Sequence, residues 1–225
     1  MPENNTRPVI AALVPMRHSS ERVPGKNYRP MAGKPLYCYI LHTLLDCRSI
    51  DTIIVDTDSP VIQEGVKKNF PGVQVVDRPE HLRDGMVPMN DVLRHDVSMV
   101  QADFYLQTHS TNPLLRSETV ESAVAAFLDA LPGKDSLFSV TRWQTRLYKE
   151  DGSAINHDPH ELLRTQDLPP VYEENSCIYI FTAENLEKYD HRIGPNPLMF
   201  PIDRNEAWDI DEELDFSIAE FLVQQ

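Results

Sequence analysis

Between Arg17 and Lys34 the chain carries five cations, Arg17, Arg22, Lys26, Arg29 and Lys34, against one acid, Glu21. Arginine offers a planar fork and lysine a point charge, and the Ser20 hydroxyl adds a further polar contact. Such a set suits a triphosphate. The spacing is neither that of a Gly-x-x-x-x-Gly-Lys-Ser/Thr loop nor that of Gly-x-Gly-x-x-Gly. The bland alternative is a solvated basic face. A second constellation is Asp209-Ile210-Asp211. In extended backbone, residues two apart point the same way, so both carboxylates can face one ion. Oxygen donors joined by phosphate oxygens suit Mg²⁺. The alternative for Asp211 is a helix cap ahead of Glu212-Glu213. A third pair, Asp56-Thr57-Asp58, has the form of a DxD metal motif, or of a strand end followed by a helix cap.

The elements around these residues alternate. Apolar runs at 8–14, 52–56, 73–76, 104–107, 136–140 and 178–181 read as strands. Ser59 and Pro60 suit the start of a helix that ends before Pro71-Gly72. Ser117 is the expected cap of a helix through Val120, Val124, Phe127, Leu128 and Leu131, and a last helix is expected from about Glu212 to Val223. Buried strands alternating with helices predict a Rossmann-like α/β fold with a mostly parallel sheet. Ligands then bind beyond the carboxyl ends of the strands, at the turns after Val14, Val55 and Gln107. The segment 142–175 breaks the alternation, being polar and rich in His and Pro. It reads as a projecting arm on a single domain spanning 1–225.

Composition narrows the class. With 225 residues, 41% hydrophobic, the chain suffices for one well-filled domain. A net charge of −14 argues against a nucleic-acid partner. No apolar run reaches membrane-spanning length, and Met1 to Arg7 lack the pattern of a signal peptide. Three scattered cysteines, Cys38, Cys47 and Cys177, fit a reducing cytoplasm.

The first turn also resembles the signature loop of the CMP-sugar synthetases that activate sialic acid and related nine-carbon keto sugars. Arg17, Ser20, Arg22, Pro24, Gly25, Lys26 and Asn27 match it. The likeness continues through Lys34-Pro35-Leu36, Thr57-Asp58, Arg78-Pro79-Glu80, Thr111-Asn112-Pro113-Leu114, Arg164-Thr165-Gln166-Asp167-Leu168-Pro169, Tyr172, Asn175-Ser176-Cys177-Ile178-Tyr179 and Asp209-Ile210-Asp211. In order and spacing these cover nearly the whole chain.

The resemblance implies a three-layer nucleotidyltransferase fold and a Mg²⁺-dependent cytidylyltransferase. The anomeric hydroxyl of an acidic 2-keto sugar attacks the α-phosphorus of CTP, and pyrophosphate leaves. It assigns the phosphates to Arg17, Ser20, Arg22 and Lys26, the neighbourhood of the cytosine to Asn27 and Arg78, and the metal to Asp209 and Asp211. The sugar falls to the loop after Gln107, with His109 and Asn112, and to Arg164, Gln166 and Asn175. Arg164 suits the sugar carboxylate, the alternative being a salt bridge to Asp167 or Glu161. His109 is otherwise a structural histidine at a strand end. The family also implies a cytoplasmic homodimer contacting through the arm. The chain departs from the family pattern at His18 and Ser19, where glycines are usual, at Glu21, where lysine is usual, at His109, and at Pro88-Met89. Two other readings remain: a nucleotide-sugar-dependent glycosyltransferase using Asp56 and Asp58, and a non-catalytic nucleotide binder.

Overall fold

The computed structural model describes residues 7–225. The signal-pattern reading of the first residues rests mainly on positions outside them. A seven-stranded sheet holds β1 (Ile10–Met16), β4 (Thr52–Thr57), β5 (Val73–Asp77), β6 (Phe104–Gln107), β7 (Ser136–Trp143), β8 (Val171–Phe181) and β9 (Pro197–Pro201). Pro30–Met31 and Lys34–Pro35 form a separate ribbon, β2 and β3. The large sheet runs β5-β4-β1-β6-β8-β7-β9, and β8 alone is antiparallel to its neighbours. The helices are α1 (Tyr37–Leu45), α2 (Pro60–Asn69), α3 (Met89–Met99), α4 (Ser117–Asp129), α5 (Ala183–Tyr189) and α6 (Glu213–Val223).

Strand β1 is wholly buried, so its alternation shows in which layer each residue joins. Ile10, Ala12 and Val14 pack with apolar residues of α1, α2 and α4; Ala11 and Leu13 pack with Leu93 of α3 and Leu186 of α5. The expected three layers are therefore present. Among the described residues, no helix is long and apolar enough to cross a membrane. All three cysteines are buried free thiols.

Ser59 caps α2 as expected, its hydroxyl accepting from Ile62 N at 3.4 Å, with Pro60 at the first helical position. Ser59→Ala should cost about 1 kcal/mol, read as a lower urea midpoint with unchanged slope. Ser117, by contrast, is not a cap. Arg116 holds that position in extended backbone, and its N–H is satisfied at 3.0 Å by the Glu206 carboxylate from a distant loop. No side chain caps the first turn of α4; Glu206 instead fixes the entering residue, through the Arg116 N–H and guanidinium. The arm also begins later than expected. The β7–β8 ladder continues to Trp143 paired with Val171, so the excursion proper spans 144–170. Asn156 organises it, donating to Thr145 O and Pro169 O and accepting from Leu147 N.

Candidate active site

A cleft of about 620 Å³ opens beyond the carboxyl ends of β1, β5 and β6. That is the size and place expected for a small-molecule site in an open α/β sheet. Arg17, Ser20, Arg22 and Lys26 line one wall, Arg78 and Met89 another, and His109, Ser110 and Thr111 a third. Sequence positions that are far apart thus converge on the predicted edge.

The loop after β1 is anchored rather than loose. Val23 is fully buried with Met31, Leu36, Ile210, Phe216 and Ala219. Gly25 has φ +67°, and a Cβ there would stand 2.9 Å from the Tyr28 ring, so the tight turn into Lys26 requires glycine. His18, where the family pattern has glycine, folds away from this basic wall. Its ring stacks on Tyr28, its Nδ1 meets Ser59 Oγ at 2.8 Å, and its N–H donates to Asp58. The bulk therefore does not occupy the cleft. Ser19 and Glu21 do line it.

Ile210 is fully buried in the same small cluster. Pinning it turns the flanking Asp209 and Asp211 to the opposite side, toward the cations. Asp211 accepts from Arg22 at 2.5 Å, and Lys26 Nζ donates to Ile210 O at 2.5 Å. Burial and the neighbouring Asp211 charge raise the Asp209 carboxyl above its usual range, although Thr111 and Lys26 oppose the shift. Burial is the leading influence on Lys26 and lowers it, against the pull of the two aspartates. Among the described residues Arg17 and Lys26 have no carboxylate in ion-pair reach, and no cluster of three or more His, Cys, Asp or Glu could hold a metal by itself. Two carboxylates are hard-oxygen donors of the kind that hold a divalent cation shared with phosphate.

The helix-cap alternative for Asp211 is answered by the geometry. Glu212 occupies the N-cap of α6, and Asp215 accepts from the N–H of both Asp211 and Glu212. The Asp211 side chain is instead spent on Arg22, which lines the cleft.

Arg78 is buried, with Nε 3.1 and 3.2 Å from the two Asp56 oxygens. Asp56 is thus committed to an ion pair and Asp58 to the backbone of His18, which removes the DxD metal reading. Asp96 lies beside Asp56, fully buried, with neither oxygen reached by a donor. Its carboxyl is pushed far up by burial and then by the Asp56 charge. A proton on Asp96 turns the repulsion between the two carboxyls into a hydrogen bond donated to Asp56. Asn27 lines the cleft, yet its amide is engaged at both ends, by Arg17 O and the Ser110 hydroxyl. It positions two walls rather than offering a free contact.

The remaining sugar candidates do not assemble here. Arg164 pairs with Asp167 at 2.6 Å on the exposed arm, as in its bland reading, and Gln166 lies beside it. Asn175 is buried in the irregular stretch of β7 and β8, bonded to Ser139 and Thr141. Asn112 is buried, its amide nitrogen bonded to Trp208 O. Only His109 of this group lines the cleft. Burial, then the charges of Arg192 and Lys26, hold its ring far below its usual pKa, to about 3, so it is neutral. Sequence reasoning missed Gln107 and Arg192 behind His109, and Asp96. The signal for Asp96 was an acid on the apolar stripe of Val92 and Leu93.

Comparison with known proteins gives the family and the fold. Pseudaminic acid cytidylyltransferase of Campylobacter jejuni is 25% identical over 223 residues, covering 94% of this chain and 95% of that one. CMP-N,N'-diacetyllegionaminic acid synthase of Legionella pneumophila is 28% identical over 225 residues, covering 96% of both. A solved CMP:2-keto-3-deoxy-manno-octonic acid synthetase complexed with CTP shares the fold, with TM-score 0.71 at 18% identity, covering 96% of this chain and 99% of that one. The cytidylyltransferase family profile matches residues 11–221, nearly the full length. With its basic turn and aspartate pair meeting at one sheet edge, the chain belongs to the cytidylyltransferase family.

Proposed function

We propose that this protein transfers the cytidylyl group of CTP to the anomeric hydroxyl of an acidic, nonulosonate-type 2-keto sugar, giving a CMP-sugar and pyrophosphate. The junction of Asp209 and Asp211 with Arg22 and Lys26, at the mouth of the cleft, carries the reading. Arg17, Ser20, Arg22 and Lys26 bind and align the triphosphate, and their charge offsets that developing on the leaving pyrophosphate. Asp209 and Asp211 would hold Mg²⁺, which when bound neutralises phosphate charge and acidifies the attacking hydroxyl. Arg78, steadied by Asp56, faces the base. The likeness to relatives named for pseudaminic and legionaminic acids supports a nonulosonate substrate.

A homodimer fits the arm. Leu162, Ile155 and Tyr148 on it are 91%, 51% and 53% exposed in one protomer, unusual for apolar residues without a partner surface. A second copy would also explain why Arg164 and Gln166 lie away from the cleft of their own protomer. Buried free thiols and a CTP substrate support a cytoplasmic location.

The test is pyrophosphate release from CTP and Mg²⁺ with a panel of nine- and eight-carbon keto acids. Release is expected with CTP, one acidic sugar and a divalent cation together, and not with ATP, GTP or UTP. CTP binding without turnover across the panel would favour a nucleotide-binding relative instead.

A further inference from the structure

Behind the cleft wall lies a chain of three polar side chains. Arg192 Nη1 donates to Gln107 Oε1 at 2.6 Å, and Gln107 Nε2 stands 2.7 Å from His109 Nε2. The guanidinium is clamped from the other side, 3.5 Å over the Tyr179 ring. Tyr179 is itself fixed by hydrogen bonds to Glu174 and Ser176.

The direction of these bonds is forced. Arginine has only donors, so the Gln107 oxygen must face it and the amide NH₂ must face His109. Turning the amide over would set N–H against N–H. His109 Nε2 must then accept, so the ring proton sits on Nδ1. A cationic ring would place two donors face to face, and Arg192 beside it opposes a second charge. His109 is also the member of the chain that lines the cleft.

We propose that Arg192 and Gln107 are positioning residues that lock His109 as the neutral Nδ1–H tautomer, so that it offers one N–H to an acceptor oxygen of the sugar. The substrate part rests on the function proposed above; the tautomer part stands without it. A site built to donate at one point rejects a substrate lacking an acceptor there. Gln107 and Arg192 thereby bear on substrate choice without touching substrate.

The tautomer is read on the full-length protein with labelled histidine by long-range nitrogen–proton NMR, the His109 signals being identified by their loss in His109→Asn. The expected result is a protonated Nδ1 and bare Nε2 from pH 5 to 8, with no substrate added. A protonated Nε2 overturns the proposal. Gln107→Glu keeps the size and still accepts from Arg192, but its carboxylate demands a proton on Nε2. It should invert the tautomer and raise KM for the sugar about tenfold, with KM for CTP unchanged and the thermal transition retained. His109→Asn in that background should restore the sugar KM, because its amide Nδ2 donates from the place of Nδ1. An inverted tautomer with an unchanged sugar KM would remove the role in recognition. Absence of turnover by the unaltered protein would overturn the proposed function and the recognition role with it, while the NMR result would still decide the locking.

Discussion

Asp211→Ala should cut pyrophosphate release by about 10²- to 10³-fold, the scale of losing one charge-stabilising group at a reacting phosphate. The same change should move Tm by less than about 2 °C, since exposed sites away from caps and cores alter stability by about 0.5 kcal/mol. The two expectations separate because of where the side chain is spent. Asp211 is 48% exposed and its partner Arg22 is 59% exposed, so their ion pair contributes little to folding. The cap belongs to Glu212 and its backbone is held by Asp215. Asp215→Ala is the matched control, with lowered stability as its direct effect. Retained turnover with a Tm loss above 5 °C in Asp211→Ala would mean that the acid is structural.

Asp56→Ala should be among the most destabilising single changes, at about 3–5 kcal/mol, because it strands a buried guanidinium at Arg78. Asp96→Asn should behave quite differently. The folded protein holds Asp96 protonated well above the ordinary carboxylate range. The unfolded chain releases that proton near pH 4, as model carboxyls do. Between those points the native state binds more protons than the unfolded state, so Asp96 makes stability fall as pH rises. An amide keeps the buried hydrogen bond and removes the slope. Urea midpoints from pH 5 to 8 should fall less steeply for Asp96→Asn than for the unaltered protein. Parallel slopes would show that Asp96 is ionised in the fold.

Most of the fold was legible because its signals are local. Apolar runs set the strands, Ser59-Pro60 started a helix, and the cations of the first turn stand at the edge their position implied. The aspartate pair was readable from its spacing and family resemblance, but its orientation depended on the burial of Ile210. What stayed hidden depends on partners remote in sequence. Ser117 had the right chemistry for a cap, but Glu206, 90 positions away, holds Arg116 and with it the helix start one residue earlier. Asn175 had the chemistry of a sugar contact, and an irregular pair of strands consumed it through Ser139 and Thr141. Asp96 and Arg192 had no local motif. Their meaning comes from Asp56 and Gln107, which only the folded sheet brings near.

The two halves of the acid–cation junction proposed to hold the phosphates are far apart in the chain. Arg22 and Asp211 are 189 positions apart, and Lys26 and Ile210 are 184 apart. They are held by α6, whose Phe216 and Ala219 seat beside Val23 and whose Glu213 takes both bonds from Arg29. This is a small apolar contact, and Leu214 and Phe221 on the same helix face water at 68% and 62% exposure. Contacts of such high sequence separation are slow to form, and a lightly packed helix opens at a lower free energy than the sheet. Undocking of α6 alone would therefore dissolve the acid–cation junction while every strand stayed paired. Catalytic competence is in this sense a subglobal property, whose free energy native-state hydrogen exchange reads at the amides of α6 rather than at those of β1.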